Sequence, residues 1–316
     1  NMVTLQEYVN DFWDYEHSLF VKQQLKSGHT IGKSYCKKMQ YITHRYVQPA
    51  IGNTALSDIT VKTIDDFLLG LSGSRTYATI SDVRKSICAP LRFAHRQGLL
   101  QQDISSGIIK FAVSSKPRGI LSQKEVKALF KLKWNNQKVY TANLLASKTG
   151  MRIGEILALT KNDIKEDCII VNKSYSLIDG LKGTKTGRER TVPISSNMRK
   201  KLLKLSTDKS IYLFAGKISG KPLNKKTVAN GLYVALSKIG INYTERKRRN
   251  IVLHSWRHYV ATYLAQRTDM HTAMMILGHS SLSTFAGYSS HDTIESMHKK
   301  IKILKKYNSH FSLRLK

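Results

Sequence analysis

Residues 144–160, LLASKTGMRIGEILALT, contain two apolar helical segments separated by a short turn. Gly150 follows the first segment in the position of a helix C-cap, and the apolar spacing of a second helix starts at residue 153. Arg152 therefore lies at a helix N-terminus, where backbone N–H groups and a guanidinium can bind an anion together. Glu155, three residues later, can hold that guanidinium in place. The alternative is a surface Arg–Glu pair without a ligand.

The composition of the whole chain bears on the number of its domains and on its partner. Its 316 residues are 41% hydrophobic, which is enough for two modest cores, so we expect two domains. The formal net charge is +31, and it is uneven, because residues 1–115 carry 13 Lys and Arg against 9 Asp and Glu while the remainder carries 39 against 12. Nucleic acid is the favoured partner, since each cation on a phosphate backbone releases counterions.

A membrane surface is the weaker alternative for the partner. No apolar run approaches the ~20 residues of a spanning helix, no signal-peptide pattern is present, and the basic residues are not concentrated on one amphipathic helix. The three cysteines, Cys36, Cys88 and Cys168, are too widely spaced for a disulfide framework or a zinc pattern. We therefore expect a cytoplasmic protein.

The first ~110 residues are predicted to form helices only, because apolar residues recur every three to four positions. One such face consists of Tyr35, Met39, Ile42 and Tyr46. That helix is expected to stop at QPAIGN, where Pro49 cannot continue it, and Thr60 caps the next. The polar, proline-bearing segment VSSKPRG predicts a linker at 113–119, between a helical domain at 1–112 and a second domain at 120–316.

The second domain is predicted to be mainly helical with a small β-sheet. Its first helix follows SQKE at 122–125, which has the form of a capping box. Residues 168–176 and 189–194 are rich in β-branched side chains and flank a basic, Gly-rich turn, which predicts a long exposed hairpin. The fold class is thus α+β. A last amphipathic helix is expected from the spacing of Ile294, Met297, Ile301 and Leu304.

Two further segments carry residues that can act on a phosphate. His254 and Arg257 are three positions apart on the predicted helix of VLHSWRHYVATYLAQ, so an imidazole and a guanidinium project to one side and can grip one phosphate. His-x-x-Arg also arises by chance in a basic chain. Lys185 lies in the hairpin sequence GTKTGRER, where its ammonium can donate a proton to a leaving alkoxide. A solvated turn lysine is the alternative.

The segment LGHSSLSTFAGYSSH, residues 277–291, places His279 just after a short helix and Tyr288 nine residues later. The small polar residues between them let the tyrosine move. Tyrosine, with a pKa near ~10, is a poor nucleophile unless cations hold the phosphate that it attacks. Ordinary packing is the alternative role for Tyr288.

Together and in this order, these residues resemble the signature of the tyrosine recombinase (phage integrase) family, and specifically the integrase of a phage or conjugative transposon. The phrases TGMRIGEILAL, TKTGRERTVPI, LHSWRH and LGHSSLS also match, and YITHRYVQPAIGNTALSDITVKTIDDFL is similar to the helical core-binding domain of the family. The resemblance assigns catalytic roles to Tyr288, Arg152, Lys185, His254, Arg257 and His279, with Glu155 in support.

The resemblance implies a site-specific recombinase that cleaves and rejoins DNA through a 3'-phosphotyrosine intermediate. The two arginines and two histidines would bind the non-bridging oxygens of the scissile phosphate. Tyr288 would attack, and Lys185 would protonate the leaving 5'-oxygen. Neither ATP, metal nor another cofactor is expected, because the phosphotyrosine keeps the bond energy and the sequence has no Walker loop or acidic metal cluster. The alternatives are a type IB topoisomerase and a non-catalytic DNA-binding relative.

The same resemblance implies how the chain assembles on DNA. A SAM-like core-binding domain and a mixed α/β catalytic domain would form a C-shaped clamp on double-stranded DNA, at the element ends and the target site. Tetramers on DNA and accessory DNA-bending or directionality factors are expected. The basic residues expected to contact DNA are Lys182, Arg188, Arg246 and Arg248.

The two ends of the chain carry expectations of their own. By resemblance, the last helix docks on a neighbouring protomer, and the alternative is that it packs on its own domain. Asn1 before Met2 suggests a remnant of tag cleavage, and the chain starts at once with core-binding sequence. An amino-terminal arm-binding domain is therefore expected to be absent or removed.

Overall fold

The computed structural model of the protein describes residues 2–113, 118–183, 189–207, 209–265, 272, 276–277 and 302–306. The chain divides into two compact units, Asn1–Ser115 and Lys116–Lys316, here called unit 1 and unit 2. The division falls within the segment 113–119 that the sequence marks as a linker.

Unit 1 is built from helices. They are α1 Leu5–Val9, α2 Leu19–Lys26, α3 Lys33–Ile42, α4 Gln48–Ile51, α5 Val61–Gly70 and α6 Tyr77–Arg96, with a π turn at Thr43–Val47 and 3-10 turns at Leu56–Asp58 and Ile104–Ser106. Thr4 and Thr60 start α1 and α5 with capping boxes, and a helix cap was predicted at Thr60. Trp13, in the segment between α1 and α2, is buried and donates its Nε1–H to the carbonyl oxygen of Ser86 over 3.0 Å. This hydrogen bond joins that segment to α6.

Pro49 does not stop the helical path by itself. The chain passes from α3 through the π turn into α4, where Pro49 lies in the first turn and needs no N–H partner. The path ends at Ile51, still within the predicted QPAIGN segment.

Unit 2 is mainly helical and contains two small antiparallel sheets. Its helices are α7 Gln123–Lys131, α8 Gln137–Thr149, α9 Ile153–Leu157, α10 Ser196–Leu203, α11 Lys225–Lys238, α12 Tyr243–Arg248 and α13 Ser255–Ala265, with a 3-10 turn at Lys161–Asp163. Ser122 caps α7 in the predicted capping box. Helix α8 is buried on nearly all sides, and its Asn143 accepts the Nε1–H of Trp256 from α13 over 2.9 Å.

The strands of unit 2 are β1 Cys168–Val171, β2 Lys173–Ser176, β3 Gly180–Gly183 and β4 Arg190–Pro193. Strand β1 pairs with β4, and β2 pairs with β3 as a hairpin. The predicted strand at 168–176 is therefore split at Asn172 into two strands with different partners. A mainly α fold with a small β component agrees with the predicted class.

Of the predicted last helix, residues 302–306 are described, and they are helical. Leu304 is fully buried and belongs to the apolar core of unit 2. This part of the tail packs on its own domain, which favours that alternative over docking on a neighbouring protomer. Among the described residues, no helix is long and apolar enough to cross a membrane.

Candidate active site

Arg152 occupies the N-cap position of α9, as predicted. Gly150 ends α8 in the left-handed conformation with a φ of 66°, and the chain then turns into α9 within three residues. The backbone N–H of Arg152 donates to Glu155 Oε2 over 2.9 Å, and its Nη1 donates to Glu155 Oε1 over 3.1 Å. The Arg152 side chain keeps 32% of its surface exposed, so it is held at its base and can reach a ligand.

Two glycines let this turn approach its neighbours closely. A Cβ atom on Gly150 would lie 2.5 Å from Leu277 Cδ2, and one on Gly154 would lie 2.5 Å from Ser174 Oγ. Both distances are far shorter than van der Waals contact. The turn that carries Arg152 is thus packed tightly on both sides, which fixes the backbone from which its side chain extends.

Arg257 reaches the same turn from α13. Its Nη1 donates to the carbonyl oxygen of Gly150 over 2.9 Å, and its Nη2 donates to that of Leu277 over 2.7 Å. The side chain is only 3% exposed. Burial, followed by the nearby charge of Arg152, lowers the pKa of Arg257 to about 9. An anion at this turn would favour the charged form of Arg257.

His254 lies one residue before α13 and is exposed at the surface. Partial desolvation of the ring, then the charges of His258, Arg257, Arg152 and Arg118, lower the pKa of His254 to about 4. The ring centroids of His254 and His258 are 5.3 Å apart, and the two rings are arranged edge to face. Near neutral pH the imidazole of His254 is therefore uncharged and can act as a hydrogen-bond donor to an anion.

Glu155 is buried between two arginines. Besides Arg152, it accepts hydrogen bonds from Arg190 of β4, from Nη1 to Oε1 over 3.0 Å and from Nη2 to Oε2. Burial raises the pKa of the Glu155 carboxyl, but the hydrogen bonds and charge of Arg190 outweigh it, so the net direction is downward. Glu155 is ionised at neutral pH and anchors both guanidinium groups.

The profile of the phage integrase family matches residues 120–295, more than half of the chain. The chain belongs to the phage integrase family. Among curated relatives, the transposase of transposon Tn916 from Enterococcus faecalis is 26% identical in a 254-residue alignment that covers 73% of this chain and 62% of the transposase. The tyrosine recombinase XerC of Rickettsia canadensis is 29% identical over 175 residues, 54% of this chain and 52% of XerC. This integrase-family chain thus aligns with less than two thirds of each relative.

Solved structures show the same fold. A lambda integrase (residues 75–356) dimer bound to a COC' core site superposes with a TM-score of 0.67 at 20% identity, covering 88% of this chain and 96% of that one. The Tn1549 transposon integrase in complex with a circular intermediate DNA gives a TM-score of 0.66 at 18% identity, covering 90% and 98%. The predicted membership of the family and the predicted fold class are confirmed.

Three of the basic residues expected to contact DNA are described, and they differ in availability. Lys182 is half exposed and pairs with Asp179 over 2.7 Å. Arg248 is 70% exposed and pairs with Glu245. Arg246 is only 8% exposed, and its guanidinium carbon lies 3.8 Å from the ring centroid of Tyr233, a geometry that favours a packing role over contact with phosphate.

Several predicted residues of this integrase-family chain lie outside the described part of the structure. They are Lys185, Arg188, His279 and Tyr288. Their roles stay predictions, as does the way in which they join Arg152, His254 and Arg257.

Sequence reasoning missed Arg190 and His258. Arg190 stands two positions before the fully buried Val192 on β4, so the two side chains share the inward face of the strand. An arginine that points into the core needs a buried carboxylate to neutralise its charge. The sequence offers Glu155 as that carboxylate. His258 follows His254 by four positions, the spacing that places two side chains on one helical face.

Proposed function

We propose that this protein is a site-specific DNA recombinase that cleaves and rejoins DNA strands through a 3'-phosphotyrosine intermediate, with neither ATP nor metal. The observation that carries the proposal is the meeting of Arg152 and Arg257 at one turn, although they come from different helices. Two fixed guanidinium groups beside a neutral imidazole form a binding site suited to a phosphodiester. The family membership of residues 120–295 supports the same activity.

In the proposed reaction, Arg152 and Arg257 bind the non-bridging oxygens of the scissile phosphate, with hydrogen bonds from His254 and His279. Glu155 keeps Arg152 oriented. These groups stabilise the charge that accumulates on the phosphoryl oxygens in the transition state.

The covalent step exchanges one phosphate ester for another. The phenolic oxygen of Tyr288 gives its proton to solvent water and forms a bond to phosphorus, while the bond from phosphorus to the 5'-oxygen breaks. Lys185 donates a proton to that 5'-oxygen as it leaves. The 5'-hydroxyl of a partner strand then attacks the phosphotyrosine and restores Tyr288. Each step breaks one phosphate ester bond and forms another, so the exchange consumes no nucleotide.

The proposed substrate is double-stranded DNA at the ends of a mobile element and at its target site. The large positive charge of unit 2 would supply contacts with phosphates, with Lys182, Arg188 and Arg248 as the candidates after Arg246 is assigned to packing. Tetramer formation on DNA is supported by the lambda integrase tetramer bound to a Holliday junction, which has the same fold with a TM-score of 0.68. We further propose that the protein acts in the cytoplasm, where accessory DNA-bending or directionality factors would act with it.

The test is covalent trapping on a suicide substrate, a duplex from a candidate element end with a nick that lets the cleaved fragment diffuse away. The wild type should form a protein–DNA adduct that survives denaturant, and Tyr288→Phe should bind the duplex equally well without forming it. Tyr243→Phe is the matched control, because Tyr243 is 69% exposed and lies on α12. An adduct with Tyr288→Phe would identify another nucleophile. Binding without any adduct in the wild type would favour a non-catalytic relative.

A further inference from the structure

Glu155 is shared by two arginines that differ in exposure. Arg152 is 32% exposed on its side chain, whereas Arg190 is 12% exposed and Glu155 only 2%. Arg190 engages both carboxylate oxygens, whereas the guanidinium of Arg152 engages one. The stronger partner of Glu155 is therefore the arginine that is turned away from solvent.

Tight packing keeps this arrangement in place. Strand β4 is paired with β1 from Arg190 onward, with Arg190 opposite Val171. Helix α9 lies against β2, where Gly154 leaves no room for a side chain beside Ser174. The helix that carries Glu155 and the strand that carries Arg190 therefore belong to one packed body. Arg190 can hold Glu155 without a contribution from DNA.

The charges of the three groups have a simple consequence. Arg152 and Arg190 are cations and Glu155 is an anion, so the cluster carries one net positive charge. Without Arg190, Glu155 would neutralise Arg152, and the pair would present no net charge to a phosphate. A buried carboxylate that has one guanidinium as its partner also attracts that guanidinium more strongly than a carboxylate shared by two, because few water molecules screen the attraction.

We propose that Arg190 is a positioning residue which takes up the charge of Glu155, so that the charge of Arg152 stays available for the scissile phosphate. Arg190 itself does not touch the DNA in this scheme. The inference rests on the proposed recombinase function, since it assigns Arg152 to the phosphate.

The test compares Arg190→Gln with the double variant Glu155→Gln, Arg190→Gln. Single-turnover cleavage of the suicide duplex is measured at saturating protein, so that weaker DNA binding does not enter. Arg190→Gln should lower the rate about 100-fold, the size of effect seen when one preorganised donor is lost. The double variant restores one net positive charge at Arg152, and its rate should return to within about tenfold of the wild type. A double variant as slow as Arg190→Gln would overturn the proposal, because that result means that Arg190 binds phosphate directly or acts only as a brace.

A control variant separates charge balance from general damage to the fold. Lys173→Gln removes another strand cation from a buried carboxylate, Asp163, to which Lys173 donates over 2.7 Å. It should cleave within about threefold of the wild type, and a loss as large as that of Arg190→Gln would contradict the proposal. If Arg190→Gln alone fails to fold, the cleavage rate of the double variant relative to the wild type tests the proposal. The double variant is expected to fold because it leaves no unpaired buried charge.

A second measurement needs no DNA and no catalysis. The carboxyl carbon of Glu155 is followed by NMR during an acid titration of the wild type, Arg190→Gln and Lys173→Gln. The pKa of Glu155 should rise in Arg190→Gln and stay unchanged in Lys173→Gln. An unchanged pKa in Arg190→Gln would show that Arg190 does not take up the charge. A wild type that forms no covalent adduct would refute the proposed function, and this titration would still decide the pairing.

Discussion

The densest run of cations in the chain, residues 246–249 (RKRR), contrasts with the arginines of the candidate site, which come from distant segments. Within this run, here called the basic run, two of the three arginines are used inside the protein. Arg246 packs on Tyr233 and donates to the carbonyl oxygen of Ile251 over 3.3 Å. Arg249 pairs with both carboxylate oxygens of Glu125 over 2.7 and 3.0 Å.

The candidate site uses its cations differently. Arg152 shares its carboxylate with Arg190 and remains one third exposed, so only part of its charge is neutralised inside the protein. For Arg152, partial exposure and a shared carboxylate leave positive charge available to a ligand, whereas the density of cations along the sequence is a poor guide to such availability.

The largest expected effect tests the candidate site against the basic run. Arg257→Ala and Arg152→Ala should each lower single-turnover DNA cleavage by at least about 100-fold, since losing one fixed charge at a phosphoryl centre costs roughly 3 kcal/mol or more. Arg248→Ala, in the basic run, should cleave within about threefold of the wild type at saturating protein. Thermal melts of all three variants control for folding, because Arg257 is buried. A loss below about tenfold would place the mutated arginine outside the site.

A smaller effect separates the members of the basic run by stability. Arg249→Ala should lower the free energy of unfolding by about 1–2 kcal/mol, because it removes a half-buried bidentate pair and a hydrogen bond to the carbonyl oxygen of Ile120. Arg248→Ala should change it by less than about 0.5 kcal/mol, since its pair with Glu245 is exposed. Urea denaturation of both variants gives the comparison. Equal losses would mean that burial does not distinguish these two arginines.

The smallest effect concerns pH. The pKa of His254 is about 4 in the folded protein and near the ordinary 6.5 when unfolded, so between these values the unfolded state binds more protons. Stability from this group is complete above about pH 6.5 and is lost as the pH falls towards 4. His254→Asn should therefore lose less stability than the wild type between pH 7 and 5. Because the ring is exposed and screened by solvent, we expect a difference of only about 0.5–1 kcal/mol.

That difference is measured by urea denaturation at each pH, with His29→Asn as the control, since His29 lies on the exposed surface of unit 1. Identical pH profiles for wild type and His254→Asn would show that neither the partial burial of His254 nor the cations near it disfavour its charged form. Such a result would weaken the contrast between the candidate site and the basic run.

Much of the fold was predictable because its signals are local. The helix cap at Thr60, the capping box at Ser122 and the helix C-cap at Gly150 are properties of a few consecutive residues, and each lies where the sequence places it. The split of the strand at Asn172 was not predictable, because no glycine or proline separates CIIV from KSYS and only the choice of partner strands divides them.

For the candidate site, the sequence by itself determined the family and the placement of Arg152 at the start of a helix, since caps and spacings of three and four residues are local. Only the tertiary structure decided which cations meet. Arg190 reaches Glu155 from 35 positions away, and Arg257 reaches Gly150 from 107 positions away. Contacts over such separations depend on how helices and strands pack, and on which buried charge must be neutralised there. The same packing places Arg246 against an aromatic ring and leaves Arg152 exposed to a ligand.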